Sequence, residues 1–284
     1  MLRWASLAIL LLSAGAAHAV MPEREVARSL SFGGSCASCE FDGHRLAGAT
    51  FAGGQFIAAS LVGADLREAE LLGVHFGRAD FTRANLKGAT LIGSNFVEAN
   101  FLRATVSGAD GRGSNFSRAN LSSAKFDRSE LMSTNFGGAR LVNADFSRSE
   151  LMGVNLSKVV ATSADFTRSE LHGANMSYGR FDRTSFRRAE LHGANMYKAS
   201  FAGADFRDAE LHGAMVKGAD LSTTRGLTQA QLQHVCGDST TRLPKGLSIA
   251  PCGHHTVRVI KLPKPPKPPA PPAPRPRHII ALSD

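Results

Sequence analysis

The sequence predicts a solenoid built from one short repeat, and three features of residues 41–221 carry that prediction. First, every fifth residue in this stretch is large and apolar, with Gly111 and Ala161 as the two exceptions. Second, a small residue, usually Ala or Ser, stands two positions before nearly all of them. Third, longer strings return after twenty residues, as in Glu170-Leu171-His172-Gly173 and Glu190-Leu191-His192-Gly193. A period of five fits neither a strand nor an α-helix, so the stretch specifies a repeat architecture.

Strings such as Ala64-Asp65-Leu66 and Ala84-Asn85-Leu86 resemble the Ala-Asp/Asn-Leu/Phe-x-x consensus of pentapeptide-repeat proteins. The resemblance covers residues 41–221 without a register shift. It implies an all-β fold, the right-handed quadrilateral β-helix, with one pentapeptide on each side and the large and small residues pointing inward. The period of twenty independently supports four sides. The 37 pentapeptides would form about nine coils in a rod roughly 43 Å long, at about 4.8 Å per layer.

The chain divides into five predicted segments. They are a signal peptide (1–19), an N-terminal leader or cap (20–38), the repeat β-helix (39–222), a C-terminal cap (223–255) and an extended Pro/Lys-rich tail (256–284). In the cap, Thr228 and Gln231 have the spacing of a capping box and Gly237 that of a helix stop, which predicts a short helix over 228–236. The cap sequence from Gly226 to Leu247 also resembles the C-terminal segment of bacterial pentapeptide-repeat proteins.

The first nineteen residues have the composition of a secretory signal. Arg3 precedes an apolar stretch over 7–12, and Ala17-His18-Ala19 is a small-residue cleavage pattern. The apolar stretch is too short to span a bilayer, so no transmembrane segment is expected. We therefore expect a mature chain from about Val20 that is exported to the periplasm or secreted. An even number of cysteines suits such an oxidising compartment.

Charge is distributed unevenly along the chain. The formal net charge is +9, but residues 41–221 hold 21 basic and 19 acidic residues, and residues 222–284 hold 9 basic and 2 acidic. The repeat is thus nearly neutral and the tail is basic. The tail could attach the protein to an anionic surface, but it lacks the interleaved aromatic residues that bind single-stranded nucleic acid, so no specific nucleic acid is expected.

The four cysteines form two pairs near the two ends of the repeat. Cys36 and Cys39 have the spacing of a redox motif, but no α/β fold is predicted to support it, so a local disulfide or a pair of thiols is the simpler interpretation. Cys236 and Cys252 would close the C-terminal cap. Pairing between the two ends is excluded because a disulfide requires Cα atoms within roughly 7 Å.

Three histidines, His172, His192 and His212, are predicted to stack on one outer side at the coil spacing. They could share a divalent metal or respond to pH, or they could be a solvated column without a function. Beside them the sequence stacks Glu130, Glu150, Glu170, Glu190 and Glu210, a column of like charges. Four of these glutamates have an arginine two residues before them, and we expect these arginines to compensate the negative charge of the column: Arg128, Arg148, Arg168 and Arg188.

Towards the N-terminus the same outer column is more apolar, with Leu72, Ile92, Met132 and Met152. An apolar column on an exposed side predicts a surface for a partner protein or for a second copy of the chain. The alternative is that these are scattered apolar residues without consequence. Within the core, Gly111 is expected to leave a void between Leu91 and Leu131 and to loosen the coil around 105–114.

No catalytic motif or cofactor-binding loop appears in the sequence, so we expect neither an enzyme nor a cofactor. The main hypothesis is an exported scaffold that binds a protein or envelope partner through an outer side. A second hypothesis follows from the resemblance, because members of the family bind DNA gyrase by imitating DNA with an acidic rod. The near-neutral repeat and the signal peptide both argue against it.

Overall fold

The computed structural model describes residues 34–252, in which the chain winds into a regular coil of twenty residues. Every fifth residue forms a parallel bridge with the residue twenty positions later, from Ser35 with Gln55 to Asp205 with Arg225. Four bridges per coil make four sides, as the period of twenty predicts. These bridges are single residues, and the two named strands, β1 (Cys236–Gly237) and β2 (Ala250–Pro251), pair in parallel beyond the repeat.

Most pentapeptides turn through the same hydrogen bond. The amide of the inward small residue donates to the carbonyl of the large apolar residue three positions before it, as Ala64 does to Leu61 at 3.0 Å. The residue directly before the small residue has φ near +60° in every pentapeptide from Ser38 to Gly218, the pattern of a type II turn. Sixteen of these 37 residues are glycine and twenty-one are not. The bridge network therefore holds many non-glycine residues in a conformation that alone costs about 1 kcal/mol.

The core is a stack of rings and aliphatic side chains along the axis. Phe126, Phe146, Phe166, Phe186 and Phe206 stack one per coil, with ring centroids 5.1–5.4 Å apart. Inward hydroxyls take the small-residue position in several coils and donate to a carbonyl of the preceding coil, as Thr184 Oγ1 does to Ala161 O at 2.7 Å. Among residues 34–252, no buried side-chain polar atom lacks a hydrogen-bond partner.

The expected void at Gly111 is absent, and that prediction is wrong. A Cβ atom placed on Gly111 would lie 2.9 Å from Leu131 Cδ2, because Leu131 reaches into the space. Thr134 Oγ1 also donates to the Gly111 carbonyl at 2.9 Å. The coil is not loosened either, since the amides of Gly111 and Gly113 donate to the next coil at 2.8 and 3.0 Å.

The predicted helix over 228–236 is also wrong. Residues 229–234 form successive turns, with bonds of the i to i+3 type such as Leu232 N to Gln229 O at 3.1 Å, and residues 34–252 contain no α-helix. The capping box itself forms, because Thr228 N donates to Gln231 Oε1 at 2.8 Å. Leu232 and Val235 are both buried, so packing on the last coil takes precedence over helix continuation.

The described residues contain no helix that is long and apolar enough to cross a membrane. The predicted signal peptide and the Pro/Lys-rich tail lie outside residues 34–252 and stay predictions, as do the segment boundaries.

Candidate binding surface

The predicted partner face lies where the sequence places it, on one outer side of the coil. We call it the Leu72 column: it takes the first outward residue of one turn in each coil, namely Leu72, Ile92, Arg112, Met132, Met152, His172, His192 and His212. Leu72 is 40% exposed, while Ile92, Met132 and Met152 are half-buried. The column thus presents apolar side chains to solvent along much of the rod.

Arg112 divides the apolar part of the column into two pairs. Its guanidinium lies 2.6 Å from Asp110 Oδ2 and 3.7 Å from Glu130 Oε2. The hydrogen bond from Arg112 lowers the pKa of Asp110 below its ordinary value. Leu72 and Ile92 therefore form one apolar patch, and Met132 and Met152 form a second one beyond a charged side chain.

The neighbouring glutamates bridge directly from coil to coil, Glu130 with Glu150 and on to Glu210. Their partners are not the arginines that the sequence suggests. Arg112 faces Glu130, His172 faces Glu190 at 2.9 Å, and His192 faces Glu210 at 3.0 Å. The Leu72 column therefore supplies the groups that contact Glu130, Glu190 and Glu210.

The arginines line a groove on the adjacent side instead, together with Asp127, Asp145 and Asp165. Arg128 pairs with Asp127 at 3.4 Å and Arg188 with Asp208 at 3.5 Å. Arg148 and Arg168 make no ion pair with any residue between 34 and 252. The rod consequently carries an acidic column and a basic column side by side rather than one continuous acidic surface.

The histidines are brought together only in part. The rings of His172 and His192 are stacked, with centroids 4.9 Å apart and planes 16° from parallel. His212 is turned away, with its ring 6.3 Å from His192 at 62°. It approaches His234 of the cap instead, at 4.7 Å. Sequence reasoning missed His234 because the cap interrupts the spacing of twenty, and it missed Glu190 as a third candidate ligand beside His172 and His192.

Both cysteine pairs are close in space. The Cα atoms of Cys36 and Cys39 are 5.7 Å apart, and those of Cys236 and Cys252 are 4.7 Å apart. Both separations suit a disulfide. The first pair lies where the bridges begin, and the second joins β1 to the residue after β2. The positions fit the predicted closures of the two ends, and the oxidation state stays a prediction.

Comparison with known proteins assigns the repeat to a family. The family described as "Pentapeptide repeat region" matches residues 79–156, and "Pentapeptide repeats (8 copies)" matches 59–96, 149–188, 164–201 and 184–222. The matches together span residues 59–222. The chain belongs to the pentapeptide-repeat family, whose members fold as right-handed quadrilateral β-helices. No curated protein matches the chain.

The solved structure of one similar protein agrees with this fold. The chain is similar to HetL of Nostoc sp. strain PCC 7120, described as involved in heterocyst differentiation regulation, with 22% identity, 73% of this chain and 86% of HetL covered, and a TM-score of 0.61. Full-length QnrB1, a plasmid-mediated fluoroquinolone resistance protein, has 20% identity over 74% of this chain and 94% of its own, with a TM-score of 0.29. At these identities the likeness to HetL shows a shared fold alone.

Proposed function

We propose that this protein is an exported, non-enzymatic scaffold that binds a protein or envelope partner through the Leu72 column. The observation that carries the proposal is the exposure of that column. Leu72 is one of four large hydrophobic residues exposed within residues 34–252. The half-buried Ile92, Met132 and Met152 continue its line, with Arg112 between Ile92 and Met132. A rigid rod that repeats apolar side chains at the coil spacing suits a long partner surface.

The electrostatics of the rod support a non-catalytic role. The lowered carboxyl pKa values of Asp65, Asp110 and Asp205 all have the same main cause, a hydrogen bond from the arginine two residues later. This motif recurs on different coils and satisfies surface charges locally. Perturbed groups of an active site instead converge in one cleft.

Export is supported by the N-terminal sequence and by the cysteine positions. The first nineteen residues carry the features of a cleavable signal, and cysteine pairs lie at both ends of the described coil. Disulfides form and persist in an oxidising compartment such as the periplasm. They would close the two ends, which repeat proteins must protect from solvent and from edge pairing.

The gyrase alternative requires a surface that imitates DNA. Here Arg112 pairs with Glu130, His172 and His192 contact Glu190 and Glu210, and the next side carries an arginine column. We therefore favour the scaffold. Attachment to an anionic surface through the basic tail is a separate prediction about residues outside the described coil.

Site-specific photocrosslinking in living cells tests the proposal. A photoreactive residue placed at Leu72 or Met132 should crosslink to a partner. The matched controls are Leu102 and Val142, which occupy the same turn position half a coil away and are half-buried like Met132. We expect products from the first pair only. Equal crosslinking from all four positions, or none from Leu72 and Met132, would exclude the Leu72 column as the partner face.

A further inference from the structure

His172, Glu190 and His192 form a compact group of metal-ligating side chains on two neighbouring coils. Each offers one ligand atom, and these three atoms all lie within 4.8 Å of one another. We propose that the three side chains bind one divalent transition-metal ion, with Zn²⁺ as the best fit. The inference is independent of any partner, because it concerns only residues of this chain.

The backbone holds the three residues in register. Glu170 bridges Glu190, which in turn bridges Glu210, and Gly173 N donates to His192 O at 2.8 Å. The relative positions of His172 and His192 are thus fixed by the coil, so little backbone entropy remains to be lost on binding a metal. The side chains are 32%, 33% and 45% exposed for His172, His192 and Glu190, which leaves the ion accessible and leaves room for water ligands.

The distances require an adjustment of the side chains. Zinc binds imidazole nitrogen and carboxylate oxygen at about 2.0–2.2 Å, so two ligand atoms at the tetrahedral angle are about 3.4 Å apart. His172 Nε2 and Glu190 Oε2 are 2.9 Å apart, and the three ligand atoms all lie within 4.8 Å of one another. The widest pair therefore needs to approach by up to about 1.4 Å, which side-chain torsions of half-buried residues permit.

The ligand chemistry selects the metal class. Two imidazoles and one carboxylate suit Zn²⁺, Cu²⁺, Ni²⁺ or Fe²⁺, whereas Ca²⁺ and Mg²⁺ prefer sites made of oxygen alone. Three protein ligands leave a fourth position on zinc for water or for a group from outside the chain. Metal binding needs neutral imidazoles, so the affinity should fall as the pH is lowered.

The next coil does not repeat the site. Glu210 lies 3.0 Å from His192 Nε2, but the ring of His212 is rotated away from His192 and packs near His234. One coil earlier, Met152 occupies the position of the histidine. Within residues 34–252, one group of three ligands therefore meets the distance condition.

The test is Zn²⁺ binding to the full mature chain after removal of bound metal, measured by isothermal titration calorimetry, with Co²⁺ absorption as a second readout. Histidines outside the described residues, such as His254 and His255, could also bind zinc, so the comparison between variants decides the outcome. His172→Ala, Glu190→Gln and His192→Ala should each weaken one binding event at least tenfold. His212→Ala is the matched control and should change it less than twofold.

Two results would overturn the site. One is a set of variants that all bind Zn²⁺ like the parent chain. The other is equal weakening by His192→Ala and His212→Ala with no effect of Glu190→Gln, which would indicate a histidine-only column. Far-UV circular dichroism of each variant shows whether the coil is intact. None of the four side chains is buried, so their substitution should leave the coil folded.

Discussion

Asp205 and Arg207, two residues apart in the sequence, form a bidentate ion pair, with Arg207 Nε 2.9 Å from Asp205 Oδ1. The carboxylate is only 7% exposed, while the guanidinium lies over it at the surface. The same relationship joins Asp65 to Arg67 and Asp110 to Arg112. The coil thus places a carboxylate at a bridge position and satisfies it with an arginine from the following turn.

The Asp205 pair predicts a pH-dependent contribution to stability. The hydrogen bond from Arg207 lowers the pKa of Asp205 in the folded chain. The contribution is therefore present above the unfolded pKa of the carboxyl and is lost as the pH falls through the folded pKa. Asp205→Asn should lower the free energy of unfolding by about 1 kcal/mol at neutral pH, and the difference should shrink in acid.

Chemical denaturation at neutral and acidic pH measures this effect. Asp208→Asn is the control, because Asp208 is 68% exposed and its nearest arginine atom is 3.5 Å away. It should change stability by less than about 0.5 kcal/mol. A loss for Asp205→Asn that is independent of pH would contradict the assignment to the charged pair.

The packing around Gly111 predicts that a larger side chain at this position overpacks the core and does not fill a void. Gly111→Leu restores the repeat consensus, yet Leu131 already occupies the space, so we expect a loss of about 1–3 kcal/mol. Leu131→Ala should by itself cost about 2–5 kcal/mol. The double variant should lose less free energy of unfolding than the sum of the two single losses, since the new leucine fills the space that Leu131 leaves. Stabilisation by Gly111→Leu alone, measured by thermal unfolding, would indicate that a void exists.

Gln231 closes the last coil, which predicts a specific cost for removing its donors. Its side-chain amide donates to Phe206 O at 2.9 Å and to Ala209 O at 2.8 Å, while its Oε1 completes the capping box. Gln231→Glu keeps the acceptor and loses both donors. We expect a loss of about 1–3 kcal/mol in the free energy of unfolding.

Gln229→Glu is matched to this variant in charge. Gln229 is exposed and loses one donor bond, to Ser248 O at 3.0 Å, while its Oε1 still accepts from Ser248 N. Its effect on urea denaturation should be clearly smaller. Equal effects of the two substitutions would show that the added charge, and not the lost carbonyl contacts, causes the destabilisation.

The disulfide prediction for Cys236 and Cys252 concerns both chemistry and stability. The two residues are sixteen apart, and closing a loop of that length contributes about 3 kcal/mol in the chain-entropy account. Cys252→Ser should lose about that amount, and a reducing agent should destabilise the parent chain but not the variant. Intact mass with and without reduction tests the bond itself. Free thiols at both residues in exported protein would contradict it.

Much of the fold follows from the sequence because one residue type serves one place in each pentapeptide. Phe126 and Leu131 are predicted inward and lie inward, and the Leu72 column lies on one side as the period of twenty requires. The sequence analysis does not predict the positive φ at the second outward residue of each turn. The signal was present, since glycines such as Gly173 and Gly193 recur at this position.

The predictions that the structure contradicts concern places where the repeat is interrupted. Leu131 fills the space beside Gly111, a packing response that a one-dimensional pattern does not contain. The Thr228–Gln231 capping box forms, but a short helix gains little from its own hydrogen bonds and the burial of Leu232 decides the conformation. His234 joins His212 only because the cap adds residues to the last coil, where Gly213 N bonds His234 O.

The proposal of an exported scaffold is tested most directly by the mature N-terminus and the location of the protein in fractionated cells. The account predicts a chain that begins near Val20 and is found in the periplasm or the medium. An intact Met1 on a cytosolic chain would contradict export and, with it, the predicted disulfides. It would also restore the gyrase hypothesis as the leading one.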